Sequence, residues 1–317
     1  MRKEAIFQDS SLCVVGNLNR DIRLAPLAAG EYLFHDGENS VEWMMETVGG
    51  GGANSACAAA ALGARVGLMG KVGDDRLGGL LKDTLIRHGV EAYLAKAPNL
   101  STGTSINLTF TSGHRHFVSS LPNNESLALE DLDLAALNGY RHLLRADVWF
   151  SAPMLYGGNA KLFREARERG LRTSLDLNWD PQWGVASPAE VNKRKQAVCD
   201  LLPLVDLVHG NVRELKEFTQ GDTLDASLSR LQDWGAGAVV VHLGAEGAGF
   251  YQGGKLEIVK AVPAARQINS TGTGDVLSVC MILLDLRHDM PVSEKLRLAN
   301  RIVTEYIEGQ RELMPAL

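Results

Sequence analysis

The chain has 317 residues, 45% hydrophobic and 22% charged, with a formal net charge of -6. This acidic balance speaks against nucleic acid or an anionic membrane as the main partner, and the length suits one large core with a small appendage rather than two equal halves. Cys13, Cys57, Cys199 and Cys280 form no CxxC pair, MRKEAIFQDSS has no apolar run behind it, and no apolar stretch nears membrane length, so a reducing cytoplasm without a membrane span is expected.

LCVVG (12–16) predicts a buried first strand ended by glycine. Short alternating stretches within 20–48 read as the strands of a small lid. GGGG (49–52) opens ANSACAAAALG (53–63), a helix of small residues able to pack close to a neighbour. ARVGLMG (64–70) reads as a strand and LGGLLKDTLIRHG (77–89) as a helix capped by Gly89. Residues 101–120, rich in Thr and aromatics, predict a second hairpin for the lid or the sheet edge. DLDLAALNGYRHLL reads as a helix and ADVWFSA (146–152) as a strand; NAKLFREARERG (159–170) and LRTSLDLN (171–178) repeat the pair. Ser187, Pro188 and Glu190 give the next helix, 187–204, a capping-box start. LVDLVHG (204–210) and AVVVHLG (238–244) read as strands, RELKEFTQG and ASLSRLQDWG as helices, 247–261 as a hairpin, and 275–287 and 292–308 as closing helices. Strands alternating with helices give an α/β fold with a mostly parallel sheet, helices on both faces and ligands beyond the carboxyl ends of the strands.

The turn NSTGTGDVLS (269–278) runs straight into a mostly apolar helix. The first turn of a helix has unpaired N–H groups and a partial positive charge, and glycines there let the backbone wrap an oxyanion. TGTG is therefore a candidate phosphate cradle, with amides from Gly272, Thr273 and Gly274. Asp275 is either a base for an attacking hydroxyl or a helix cap; composition leaves both open. The stretch is no Walker P-loop, and GGGGAN fails the GxGxxG-after-strand pattern. The eight histidines have no metal spacing. His114 and His116 alternate on an expected lid strand and face one way, while Trp43, Trp179 and Trp183 are read as packing residues.

Taken in order along nearly the whole chain, VVGNLNRDIRL (14–24), GGGGANSACAAAALG (49–63), LMGKVGDDRLG (68–78), DLNWDPQW (176–183), GNVRELKEF (210–218), VVVHLGAEGAGFY (239–251), NSTGTGDVLSVCM (269–281) and Ala299-Asn300 resemble the motifs of the ribokinase-like (PfkB) family of carbohydrate and nucleoside kinases. The resemblance implies a three-layer α/β/α domain over 1–317 whose lid strands lie within 20–48 and 101–120. It makes Asp275 similar to the catalytic base and Gly272, Thr273 and Gly274 similar to the anion hole. Asp21, Gly50, Gly51, Asn54 and Asn178 fall at substrate positions. Asn211 and Glu214 match a motif that organises Mg2+ through water, and Asn211, Gly244, Gly247 and Asn300 fall beside ATP. The implied reaction is phosphorylation of a hydroxyl, a primary CH2OH, on a neutral sugar. A nucleoside kinase and a catalytically silent sugar- or nucleotide-binding protein are the alternatives, and a homodimer through the lid is a further expectation.

The chain also departs from the family pattern. Asn269 stands where the family has the aspartate of a monovalent-cation site, which speaks against K+ activation. Thr273 replaces an alanine, and Gly51 stands where ribokinase has a lysine. Asp180 replaces an arginine of many sugar-kinase relatives, which disfavours an acidic sugar.

Overall fold

The computed structural model describes residues 5–269, 271–287 and 289–317; Ser270, inside the NSTGTGDVLS turn, and residues 1–4 of the N-terminal stretch lie outside them. Among the described residues there are thirteen strands: β1 (Ser11–Val15), β2 (Asn19–Leu24), β3 (Met44–Gly49), β4 (Arg65–Gly73), β5 (Val90–Ala97), β6 (Thr104–Thr109), β7 (Arg115–Ser120), β8 (His142–Arg145), β9 (Arg172–Asp176), β10 (Leu207–Asn211), β11 (Ala238–His242), β12 (Ala248–Gln252) and β13 (Lys255–Val259). The helices are α1 (Gly51–Leu62), α2 (Arg76–Arg87), α3 (Pro122–Glu125), α4 (Asn159–Glu168), α5 (Pro188–Cys199), α6 (Val212–Thr219), α7 (Leu224–Asp233), α8 (Thr273–Asp285) and α9 (Val292–Ile307).

The large sheet runs β13-β12-β11-β10-β9-β8-β1-β4-β5, parallel from β11 to β5 and antiparallel where β12 pairs with β11 and with β13. Its first strand is apolar on both sides: Leu12 and Val14 join the core under α1, α2, α8 and α9, while Cys13 and Val15 join the core under α4 to α7. Strands covered on both faces read as continuous apolar runs. These are the three layers of an α/β/α fold. The alanines of α1 bring it directly onto α8, whose residues Val276–Leu284 are all buried. A second, small sheet, β3-β2-β6-β7, is formed by the two segments expected to carry lid strands.

The structure corrects one sequence expectation and adds one strand. The strand placed at 146–152 lies earlier, at β8, inside what was read as a helix; His142 to Arg145 are buried on every side, so no alternation separates strand from helix. Residues 90–97, without a clear sequence signal, form the edge strand β5, where mostly half-buried side chains replace apolar alternation.

Candidate active site

The carboxyl ends of β1, β8, β9, β10 and β11 and the start of α8 meet at one cleft. Gly272 adopts φ +79°, a left-handed conformation that glycine tolerates, and turns the chain into α8, where Val276 N–H bonds back to Gly272 O at 3.0 Å. The amides of Thr273, Gly274 and Asp275 belong to the first helical turn, whose N–H groups have no partner inside the helix. Tyr306 Oη donates to Thr271 O at 2.8 Å, fixing the turn from α9. Asn269 Nδ2 donates to Tyr306 O at 2.8 Å.

Asp275 projects from this first turn, where Asn54 Nδ2 of α1 donates to its Oδ2 at 3.1 Å. Burial, and then the charge of Asp147, pushes the Asp275 carboxyl up to about 8. A carboxyl poised near neutrality beside helix-start amides can take a proton from a hydroxyl while those amides stabilise an oxyanion.

Asp147 had no signal in the sequence reading. It lies just beyond β8 with φ +55°, and its carboxylate accepts the backbone N–H groups of Asn17 (2.9 Å) and Gly52 (2.8 Å). Its own N–H donates to Asn178 Oδ1 at 3.1 Å, so Asn178, expected at the substrate, acts on the site through Asp147. A polar residue just past a strand end was the available clue, hidden because the strand itself was misplaced. Gly51 must lack a side chain here, since a Cβ would lie 2.7 Å from Asp147 Oδ1. Gly50, at φ +93°, backs onto the Asn17 carbonyl.

Asp176, at the end of β9, is buried under α8 within hydrogen-bond reach of Ser278 Oγ (3.4 Å); burial first, then Asp275 and Glu214, raises its pKa well above the carboxylate range. Ser278 also meets His242 Nε2 at 3.2 Å, and burial holds His242 down at about 4, a neutral imidazole. Asp21 enters from the small sheet, receives Asn19 Nδ2 at 2.7 Å and is raised to about 6 by burial. Gly49 leaves it room: a Cβ there would lie 2.1 Å from the Asp21 carboxyl carbon.

On the other side, Asn211 and Glu214 form a reciprocal cap at the start of α6: Glu214 N–H donates to Asn211 Oδ1 (3.0 Å) and Asn211 N–H to Glu214 Oε2 (2.9 Å). Burial raises the Glu214 carboxyl against these bonds. Gly244, at φ +61°, begins the short turn after β11 with open space before it. Gly247 and Asn300 converge on one carbonyl, that of Val259: a Cβ on Gly247 would lie 2.2 Å from it, and Asn300 Nδ2 donates to it at 2.8 Å. Both therefore shape the wall between β13 and α9.

Asp180 is corrected. It is fully buried and holds Arg194 through two bonds (2.7 and 3.0 Å), because a carboxylate in the core requires a paired cation. Its charge does not reach the cleft. Trp183 packs in the core, edge-on to Trp149 and Trp179, and Arg213 stacks on Trp179. On the small sheet it is Arg115, between His114 and His116, that reaches the phosphate-cradle turn, at 3.4 Å from Thr271 Oγ1. His116 therefore points away, as strand alternation requires.

A model of the pfkB family carbohydrate kinases matches residues 9–306. The chain belongs to this family. A 2-dehydro-3-deoxygluconokinase of Bacillus subtilis is 25% identical over 265 residues, covering 82% of this chain and 79% of the relative. Ribokinase of Arabidopsis thaliana, solved with ribose and ATP, superposes with a TM-score of 0.73 at 20% identity, covering 96% of this chain and 94% of that one. An Escherichia coli protein assigned as ribokinase II, solved with ATP and Mg2+, superposes with a TM-score of 0.79 at 19% identity over 94% and 93% of the two chains. As a pfkB kinase the chain is an ATP-dependent phosphotransferase of the carbohydrate kinase type. Among its described residues no helix is long and apolar enough to cross a membrane.

Proposed function

We propose that this kinase transfers the γ-phosphoryl group of ATP to a primary hydroxyl of a sugar, with Asp275 as general base. The observation carrying this reading is the placement of a near-neutral carboxyl, held by Asn54, in the first turn of α8. The acceptor hydroxyl lies between Asp21 and Asp275 and passes its proton to Asp275 as its oxygen bonds to phosphorus. The amides of Gly272, Thr273 and Gly274 stabilise the charge on the transferred group. Asn54 orients the base, and Asn178 orients Asp147, which anchors the α1 start and the β1 end to each other.

Mg2+ supplies charge neutralisation to the nucleotide phosphates when bound. The donors at the cleft are hard carboxylate oxygens, which suit it; Glu214 would reach it through water, with Asn211 fixing the Glu214 carboxylate. Among the described residues no group of three or more His, Cys, Asp or Glu is arranged to hold a metal ion. Gly244, Gly247 and Asn300 border the base-side wall. Asn269 offers an N–H donor, already engaged with Tyr306 O, where a cation would need a carboxylate. Replacing K+ by Na+ therefore leaves the rate unchanged, and strong K+ stimulation would refute this.

The chain acts as one domain with the small sheet as its lid, and closure excludes water from the reaction. Ile106, Val118 and Met44 are exposed on the outer lid face, a surface for a second copy of this chain; sedimentation of a pure monomer at assay concentrations would remove the dimer reading. The kinase reading is tested by ATP consumption over a panel of sugars and nucleosides. Turnover of a sugar that is lost in Asp275→Asn supports it; turnover of nucleosides alone moves the assignment to that acceptor class. Binding without any turnover identifies a silent binding protein.

A further inference from the structure

The cradle turn before α8 is rich in glycine, and glycine fixes no conformation by itself. The turn must therefore be shaped by what packs against it, and every strand of the small sheet supplies a contact. From β6, Asn107 Nδ2 donates to Thr271 Oγ1 at 3.3 Å, and from β7 Arg115 Nη1 donates to the same oxygen at 3.4 Å. From β2, the Arg23 guanidinium lies beside the Tyr306 hydroxyl, which donates to Thr271 O at 2.8 Å. From β3, the contact passes through the residues after α9. Val48 N–H donates to Pro315 O at 3.2 Å, Leu317 N–H donates to Glu46 O at 3.1 Å, and the Met314 methyl group abuts Gly272, where a Cβ would lie 3.1 Å from it.

The strand register explains the convergence. Arg23 pairs with Asn107, and Thr109, two residues on, pairs with Arg115. Residues opposite each other or two apart share a face, so all three side chains leave the sheet on the side that carries Asp21. A hydroxyl oxygen has two lone pairs, and that of Thr271 offers one to each of two lid donors. Asn107 is only 2% exposed, and its Oδ1 has no partner among the described residues, so its amide is tied down through the bond to Thr271. Leu313, buried in the core, pins the segment that carries Met314.

We propose that Thr271 is a positioning residue for phosphoryl transfer: its hydroxyl is the point at which the small sheet takes hold of the cradle turn and sets the amides of Gly272, Thr273 and Gly274. This rests on the kinase reading above. Thr271 touches the reaction only through those amides. A displacement of about 1 Å at a reacting group can cost about 100-fold in rate, so the grip matters to kcat more than to binding.

The test compares wild type with Thr271→Val, which keeps the shape and removes the hydroxyl, and Thr271→Ser, which keeps the hydroxyl. Rates are measured with ATP, Mg2+ and whichever of ribose, fructose, 2-dehydro-3-deoxygluconate or adenosine is turned over. Thr271→Val is expected to lower kcat by about 10- to 100-fold, with both KM values within about 3-fold of wild type. Thr271→Ser recovers most of the loss. Asn107→Ala lowers kcat by about 10-fold in the wild-type background and has little further effect beside Thr271→Val, because both remove one contact. Losses that multiply in the double variant overturn the proposal, as does an unchanged kcat in Thr271→Val. A raised KM for the acceptor at constant kcat also overturns it and makes Thr271 a substrate contact. Hydrogen exchange reads the grip whatever is phosphorylated. Amides 271–275 of the unliganded chain should exchange about 10-fold faster in Thr271→Val and in Arg115→Ala, with β8 to β10 unchanged. Unchanged exchange at 271–275 rejects the grip even in an active kinase. Faster exchange without phosphorylation of any compound keeps the grip and rejects the kinase reading.

Discussion

The floor of the cleft and its roof differ in how tightly each functional group is held. On the floor, Asp147 is fixed by two backbone amides and by Asn178, Asp275 is tied to Asn54, and both rest on strands and helices buried on all sides. On the roof, β7 is exposed along its length, and Arg115 and Asn107 reach the floor through the Thr271 hydroxyl. The contrast separates two tasks. In the mechanism proposed above, the groups that move a proton and hold developing charge need the fixed geometry of the floor, and the acceptor would be met by the thinner, more solvated layer.

The sharpest way to break this comparison is at the base. Asp275→Asn is expected to cut turnover by about 1,000-fold while the chain stays folded. Its stability goes the other way. The Asp275 carboxyl binds its proton more tightly in the fold than in the unfolded chain, so ionising it drains stability as pH rises from about 4 toward 8. The variant should therefore have the higher Tm at pH 8, a gap that closes near pH 4; a lower Tm at pH 8 would show that the native carboxylate is stabilising.

Next in size is Asp180→Ala, which strands a partly buried Arg194. A loss of about 3 kcal/mol in urea unfolding is expected, with the order of acceptor preferences unchanged. A changed acceptor order would return Asp180 to the substrate. Smaller again is the pH dependence of kcat/KM, which should climb through pH 8 and level off above about 9 as free Asp275 ionises; a profile flat from pH 6 to 9 would mean that the base is another group. Smallest is Asn178→Ala. With Asp147 still held by two amides, about a 10-fold fall in kcat is expected with little change in Tm. A pure KM effect would make Asn178 a substrate contact.

Much of the floor was readable because its signals are local. A glycine pair before an apolar helix, followed by a carboxylate, marks a candidate anion site within one turn, and the Asn211–Glu214 cap is a three-residue relation. Asp147 escaped because its role depends on a left-handed backbone and on partners about 100 or more residues away. The inward turn of Asp180 depends on Arg194, fourteen residues on, arriving from α5. On the roof, the alternation that placed His114 and His116 on one face was sound, yet nothing local says which face overhangs the cleft; the Arg115 contact with Thr271 decides it.

Gly16 and Gly52 touch backbone to backbone: a Cβ on Gly52 would lie 2.6 Å from the Gly16 Cα. The polypeptide departs for β2 just after one of them and returns from β3 just before the other, so both strands are rooted in a single immobile seam. For the lid motion proposed above, that root would be the hinge, and the gap from Asp21 to Asp147 is the opening a tilt of the small sheet would change.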